Sequence, residues 1–219
     1  KEFIQGIERY CVWIRDEDLG EARLIPEISD RICKTKNMRA SSTDKGAQKL
    51  AARPHQFREI NETTRTSLVI PSATSERREY IPIGFIDSGT IVTNLAFVIY
   101  DTESYMFSLL SSAMHMAWVR SVSGRLKSDY RYSSALSYNT FPVPQLSQDL
   151  KAELSEAAMN VLAARENYPG SSLAKLYDPD YMPSDLKIAH SHIDDVVDSC
   201  YRKSKFNSEH ERVEFLFDM

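Results

Sequence analysis

Cysteine and glycine are scarce in this chain of 219 residues, and long hydrophobic runs are missing. The three cysteines, Cys11, Cys33 and Cys200, lie too far apart in sequence for a typical metal cluster or disulfide framework, which favours a reducing, cytoplasmic setting. The seven glycines are scattered, so no P-loop or other glycine-rich phosphate loop is present. No apolar stretch approaches the ~18 residues of a membrane-spanning helix, so we expect no membrane partner.

The overall charge gives no hint of a polyanionic ligand, because 27 Lys and Arg against 31 Asp and Glu leave a net charge of −4. The local distribution differs. Residues 31–78 hold eleven basic and four acidic residues, whereas residues 145–219 hold eight basic and fourteen acidic residues. A basic region (net +7) and an acidic region (net −6) therefore share one chain, and any surface for nucleic acid is expected in the first part.

The order of the periodic segments predicts an α+β fold. Apolar runs and alternation predict strands over residues 10–14, 67–71, 80–85, 91–93 and 96–100. Apolar residues at helical spacing predict helices over residues 26–42 and 103–122, and only helices after Pro144. We therefore expect a mixed α/β lobe (residues 1–144) followed by an all-helical lobe (residues 145–219). Because the chain begins at Lys1 and ends in an apparent helix, we expect a fragment of a longer protein.

The histidines do not indicate a catalytic or metal centre. His190 and His192 could ligate a metal, but residues two apart on a helix point in different directions, so solvated polar side chains are expected instead. His115 lies within an apolar helix, where a hydrogen-bonded core histidine is the expected role. No nucleophile motif such as G-x-S-x-G occurs. We therefore expect no catalytic residue, cofactor or metal in these 219 residues.

The most informative segment runs from Gly124 to Ser133. Its charged residues stand at every second position: Arg125, Lys127, Asp129 and Arg131. In one extended strand, a period of two places all four side chains on one face. Lys and Arg donate to guanine O6 and N7, and Asp accepts from cytosine N4, so Lys127 and Asp129 could read both halves of a G·C pair. A solvated edge strand with local ion pairs is the alternative, and residue chemistry leaves both open.

Further basic residues suit contacts with phosphates, which fix the position of a nucleic acid rather than its sequence. These candidates are Lys45, Lys49, Arg53, Arg77, Arg78 and Arg125. Asn94 follows a predicted strand, where it could pair with adenine or simply form a turn.

Five segments carry a family resemblance, and they occur at residues 10–14, 54–59, 80–85, 124–133 and 138–144. With these segments in this order, the chain resembles the C-terminal part of MmeI-like DNA methyltransferases of restriction–modification systems, over essentially its whole length. The resemblance implies a DNA target recognition domain followed by the helical domain of the family.

The resemblance also implies partners and residue roles. In this family an adenine-N6 methyltransferase that uses S-adenosylmethionine lies upstream of the recognition domain, and some members add a nuclease, which would require Mg²⁺. The implied partners are double-stranded DNA and the upstream methyltransferase domain of the same chain. Lys127 and Asp129 are implied to read one base pair, and Arg131 and Leu95 a neighbouring pair. Asn94 is implied to work with Ser72.

Two other functions stay open. A freestanding enzyme would transfer methyl groups without further domains. A helical interaction module would dock its acidic lobe onto a partner protein, and it would lack the salt-dependent duplex binding expected of a DNA recognition module.

Overall fold

The computed structural model describes residues 2–60 and 65–219. These residues form two compact units, one built from residues 2–8 and 65–219 and the other from residues 9–60. The α+β class is confirmed, since two small antiparallel sheets precede a part in which every described element is a helix. Residues on both sides of position 145 lie in the larger unit, and the domain boundary expected there stays a prediction.

Helix α1 (Glu2–Gln5) belongs to the larger unit, and the smaller unit contains the next three helices. These are α2 (Leu19–Ala22), α3 (Pro26–Ala40) and α4 (Lys45–Lys49), with a 3-10 turn at Leu50–Ala52. Helix α3 confirms the prediction, and Pro26 suits its first turn because the proline ring fixes a helical φ. The strand expected over residues 10–14 is wrong. Tyr10 is 90% exposed, and the described part of this unit offers no strand for pairing.

Two arginines hold the loop that follows α4. The guanidinium of Arg39 donates to three backbone carbonyls between residues 50 and 56, at 2.9–3.1 Å. Arg53 donates in turn to the carbonyls of Phe57 at 3.0 Å and Arg58 at 2.9 Å. Burial lowers the pKa of Arg39, and the neighbouring charge of Arg53 lowers it further. Both guanidinium groups therefore stabilise the local backbone.

Six short strands form two antiparallel sheets in the larger unit. They are β1 (Ser67–Pro71), β2 (Ala73–Thr74), β3 (Gly84–Ile86), β4 (Ala96–Ile99), β5 (Gly124–Leu126) and β6 (Asp129–Arg131). The strand order is β3-β1-β4 in the first sheet and β2-β6-β5 in the second. The central strand β1 is buried along its whole length, as its continuous apolar sequence indicates.

Two predicted strands differ from the structure. The strand expected over residues 80–85 starts only at Gly84, at the edge of its sheet, because Pro82 has no amide hydrogen to donate to a ladder. Residues 91–93 form no strand.

The helix expected over residues 103–122 is interrupted, which gives α5 (Tyr105–Leu110) and α6 (Ala113–Val122). The Ser112 hydroxyl donates to the Leu109 carbonyl at 2.8 Å and accepts from the His115 amide at 3.2 Å, so it caps α6. The later helices are α7 (Gln148–Glu166), α8 (Leu173–Leu176), α9 (Ser184–Tyr201) and α10 (Glu209–Phe217). None of the described helices is both long enough and apolar enough to span a membrane.

A polar network lies inside the hydrophobic core of the larger unit. The Tyr177 hydroxyl accepts hydrogen bonds from Arg165, so its own proton is directed to Nε2 of His190 at 2.6 Å. His190 is fully buried, so the expectation that it is solvated is wrong. His192, two residues along the same helix, is exposed as expected. No group of three or more metal-ligating His, Cys, Asp or Glu side chains occurs within residues 2–60 and 65–219.

A second buried histidine lies in the same hydrophobic core. His115 is completely buried, and its Nε2 atom lies 3.1 Å from the Tyr132 hydroxyl. The expected role as a hydrogen-bonded core histidine is confirmed. Elsewhere in the larger unit, the Asp194 carboxylate accepts from the Tyr80 hydroxyl and the Ala113 amide, each at 2.7 Å. Burial nevertheless raises the pKa of Asp194 to about 6.

Candidate nucleic-acid interface

Ser72 connects the two sheets, because it is the single residue between strands β1 and β2. Its amide and its hydroxyl both donate to the Leu95 carbonyl, at 3.2 and 2.7 Å. These bonds continue the β1–β4 ladder one step past its last pair, Pro71 and Ala96. Ser72 therefore holds the turn that carries Asn94 and Leu95, and its hydroxyl hydrogen is already used within the chain.

The segment from Gly124 to Arg131 is a hairpin, not the single extended strand expected from the sequence. Strands β5 and β6 pair with Leu126 opposite Asp129, which leaves a two-residue loop of Lys127 and Ser128. Lys127 adopts a left-handed backbone conformation with φ of 58°. Asn and Gly are the usual residues at such positions, so the sequence carries no ordinary hairpin signal here.

The hairpin changes which side chains share a face. Side chains directly opposite each other in an antiparallel ladder point the same way, so Leu126, Asp129 and Arg131 lie on one face. Arg125 pairs with Tyr130 and therefore lies on the other face, where its guanidinium stacks 3.8 Å from the centre of the Tyr130 ring. The expectation that Arg125 aligns with Asp129 and Arg131 is wrong, because the turn at Lys127 reverses the chain.

Three charged side chains of the hairpin, those of Lys127, Asp129 and Arg131, have no hydrogen-bond or ion-pair partner among the described residues. Lys127 and Arg131 are exposed and Asp129 is half-buried, and none of these side chains bonds to another described residue. The opposite face of β6 is closed, since Tyr130 is only 6% exposed. Strand β6 thus has one face packed on the protein through Tyr130, and its other face presents side chains that bond to none of the described residues.

The strand junction brings the two groups of candidates together. Ala73 pairs with Arg131, and its neighbour Ser72 bonds to Leu95, so Arg131 and the exposed turn at Asn94 and Leu95 flank the same two residues. In the sequence, Arg131 and Leu95 are 36 positions apart. The structure therefore puts Leu95 beside Ser72 and Arg131 opposite Ala73. We call these positions, together with Asn94 and the hairpin residues Leu126, Lys127 and Asp129, the rim.

The candidates for phosphate contacts in the larger unit already have protein partners or partial burial. Arg77 forms an ion pair with Asp180 at 2.6 Å. Arg125 donates to the Ser128 carbonyl at 2.8 Å. Burial lowers the pKa of Arg78, and the Asp178 and Asp129 carboxylates raise it by a smaller amount.

In the smaller unit, Lys45 and Lys49 are the available candidates. They stand four residues apart on α4, so they share one helix face, and both are exposed. Arg53, by contrast, uses its guanidinium to hold the loop at residues 57 and 58. Of the six cations expected at phosphates, these two lysines are exposed and their ammonium groups bond to none of the described residues.

Substitution of Lys127 by glycine measures the energetic cost of its left-handed backbone conformation, as distinct from any effect of losing the side chain. A left-handed conformation costs a non-glycine residue roughly 1–2 kcal/mol, and glycine avoids this cost. Glycine loses more backbone entropy on folding, which offsets part of the gain. We therefore expect Lys127→Gly to raise the free energy of unfolding by about 0.5 kcal/mol. Urea denaturation of the chain measures this gain. Lys127→Ala is the matched control, because it removes the same side chain but keeps the strain. A loss of stability in Lys127→Gly would contradict the strained turn.

Sequence reasoning missed Leu126 as a residue of this rim. It shares the face of Asp129 only because of the two-residue turn, and its side chain is 56% exposed. The signal available was the pair of short alternating runs on either side of Lys127 and Ser128, which lacks the glycine or asparagine that usually marks a hairpin.

Comparison with known proteins identifies the family of the chain. Family models match residues 1–145 as the MmeI target recognition domain and residues 147–219 as the MmeI C-terminal domain. The chain is 48% identical over 218 residues to DNA methyltransferase A of Bacillus subtilis (strain 168), a match that covers 100% of this chain and 25% of that protein. It is also similar to the structure of the type IIL restriction-modification enzyme MmeI in complex with DNA, with 43% identity and a TM-score of 0.94.

The solved MmeI structure matches 99% of this chain and 29% of its own. The chain thus spans between a quarter and a third of the length of these relatives. Two consecutive family domains account for nearly all of its residues. The chain therefore belongs to the MmeI family and consists of its target recognition domain and its C-terminal domain.

Proposed function

We propose that this chain recognises a specific double-stranded DNA sequence on behalf of an adenine-N6 methyltransferase in the same parent protein. The observation that carries the proposal is the set of side chains at Lys127, Asp129 and Arg131, which form no hydrogen bond or ion pair with the described residues and stand on a hairpin. A two-stranded ribbon fits the major groove of B-DNA, and these side chains match the hydrogen-bonding groups on its base edges. The relationship to MmeI, which was solved in complex with DNA, supports the proposal.

The roles of the individual residues follow from their placement. Lys127 at the tip and Asp129 beside it would donate to guanine and accept from cytosine of one G·C pair. Arg131 and Leu95 would contact a neighbouring pair, because both border the junction at Ser72 and Ala73. Asn94 would pair with a further base. Ser72 would position Leu95 through its hydroxyl hydrogen, and its hydroxyl oxygen would accept a hydrogen bond from a base.

The chemistry belongs to the upstream part of the parent. In MmeI-like proteins the catalytic domain precedes the recognition domain, and it would rotate the target adenine out of the duplex before methylation. S-adenosylmethionine supplies the methyl group when it is bound there, and Mg²⁺ would be needed only by a parent that also contains a nuclease. We place the parent in the bacterial cytoplasm, where its DNA substrate is found. This chain would position the duplex and select the DNA sequence at which methylation occurs.

Equilibrium binding by the full-length protein tests the proposal. We expect tight binding to one duplex sequence, weaker binding to scrambled duplexes, and a strong decrease of affinity as salt rises. Equal affinity for all duplexes would contradict sequence recognition. The absence of duplex binding would favour the interaction module, in which the acidic helical lobe docks onto a protein.

The two free lysines of α4 should act without regard to sequence. We expect the double variant Lys45→Ala and Lys49→Ala to weaken binding of cognate and scrambled duplexes by the same factor. The slope of log K against log salt should become less negative by about 0.9 for each phosphate that the variant no longer neutralises. Lys203→Ala, which removes one exposed charge from the acidic lobe, serves as the control and should leave the slope unchanged. A change in preference between sequences would contradict a phosphate role.

A further inference from the structure

One exposed apolar side chain lies among the polar groups of the hairpin. Leu126 is the last residue of β5, directly opposite Asp129, and precedes Lys127 at the turn. Its side chain is 56% exposed, and it does not belong to the hydrophobic core formed by the described residues. Packing in the hydrophobic core therefore does not explain why a large aliphatic side chain occupies this position.

The surroundings of Leu126 indicate what it would meet. It shares its face with Asp129 and Arg131, while Tyr130 on the opposite face of β6 is buried. Because Leu126 and Asp129 are directly opposite in the ladder, a ligand that contacts Asp129 lies next to Leu126. An aliphatic side chain gains nothing from a phosphate, because it offers no charge and no hydrogen-bond donor.

The major groove contains one apolar feature on its base edges, the C5-methyl group of thymine. Cytosine presents the same edge position without a methyl group. We propose that Leu126 is a specificity-determining residue that reads the C5 position of a pyrimidine next to the pair read by Lys127 and Asp129. This inference rests on the proposed function and adds an apolar contact to the hydrogen-bonding contacts already assigned.

Methyl scanning of the DNA tests the proposal in the full-length protein. Each thymine of the bound site is replaced in turn by uracil, which removes only the methyl group, and each cytosine by 5-methylcytosine, which adds one. At one pyrimidine position the methyl group should change the affinity of the unmodified protein about fourfold, the factor for burial of one methyl-sized group. In Leu126→Ala, the effect at that position should disappear while the effects elsewhere persist.

The matched control is Ile188→Ala, which removes an exposed aliphatic side chain from helix α9. Its methyl-scanning profile should equal that of the unmodified protein. Identical profiles in the unmodified protein and Leu126→Ala would overturn the role of Leu126, yet preserved sequence-specific binding would leave the proposed function intact. A failure of the unmodified protein to bind any duplex specifically would instead contradict the proposed function itself.

Discussion

Asp129→Ala in the full-length protein is expected to lose discrimination at one G·C base pair by about 1–3 kcal/mol, or about 5- to 150-fold in relative affinity. The expected size follows from chemistry, because the Asp129 carboxylate would accept a hydrogen bond from cytosine N4, a donor that guanine and thymine do not present there. The Asp129 side chain makes no hydrogen bond or ion pair within the described chain, so its removal should leave the fold intact. Competition between cognate and singly substituted duplexes measures the effect.

The control for this variant is Asp218→Ala, which removes the same charge from the exposed end of α10. It separates base reading from a general effect of net charge, because removing any acidic residue weakens the repulsion of DNA. We expect Asp218→Ala to keep the full discrimination. If Asp129→Ala discriminates as well as the unmodified protein at every position, the assignment of Asp129 to a base pair is wrong.

Acid should destabilise the chain through its buried histidines. Burial lowers the pKa of His115 to about 3, and burial together with the charge of Arg165 lowers the pKa of His190 to about 3. Both values lie below the ordinary histidine pKa of about 6.5, so the unfolded chain binds more protons as the pH falls below that value. Stability is therefore full above about pH 6.5 and decreases progressively as the pH falls toward 3.

Asp194 opposes this decrease in part. Its pKa is raised to about 6, so the folded chain keeps the proton of Asp194 where the unfolded chain releases it, and acid favours folding through this group. The loss of stability through the two histidines is larger than the gain through Asp194. We expect the free energy of unfolding to fall by on the order of 3 kcal/mol between pH 6.5 and 4.5.

Two histidines of α9 provide the variant and its control. His190→Gln should reduce the pH dependence of the free energy of unfolding, measured by urea denaturation at several pH values. His192→Gln makes the same substitution at an exposed position two residues away on the same helix and is the control variant. The slope with pH is the readout, since the absolute stability also reflects the hydrogen bond between His190 and Tyr177. Equal slopes for the unmodified chain and His190→Gln would contradict the titration of the buried ring.

Local patterns predicted the elements that depend on local chemistry. Pro26 and the apolar spacing that follows it predicted helix α3, and the apolar spacing after Pro144 predicted the later helices, of which α7 is the first. The continuous apolar sequence at residues 67–71 predicted the buried strand β1. Each of these features depends on interactions within a few residues, so the sequence alone was sufficient.

The geometry of the rim depends on interactions between distant residues, and here the sequence was insufficient. The alternation at residues 125–131 could not show that a lysine in a left-handed conformation turns the chain at position 127. That turn moves Arg125 to the face opposite Asp129 and brings Leu126 beside Asp129. The bond from Ser72 to Leu95 joins positions 23 residues apart, and no local pattern encodes it.

Sequencing of methylated adenines in DNA modified by the full-length protein tests the central claim most directly. The unmodified protein should methylate one fixed motif. We predict that Lys127→Ala and Asp129→Ala each relax the same single base pair of that motif, and that Arg131→Ala relaxes a neighbouring one. Relaxation of unrelated positions by Lys127→Ala and Asp129→Ala, or an unchanged motif in both, would contradict recognition by the hairpin.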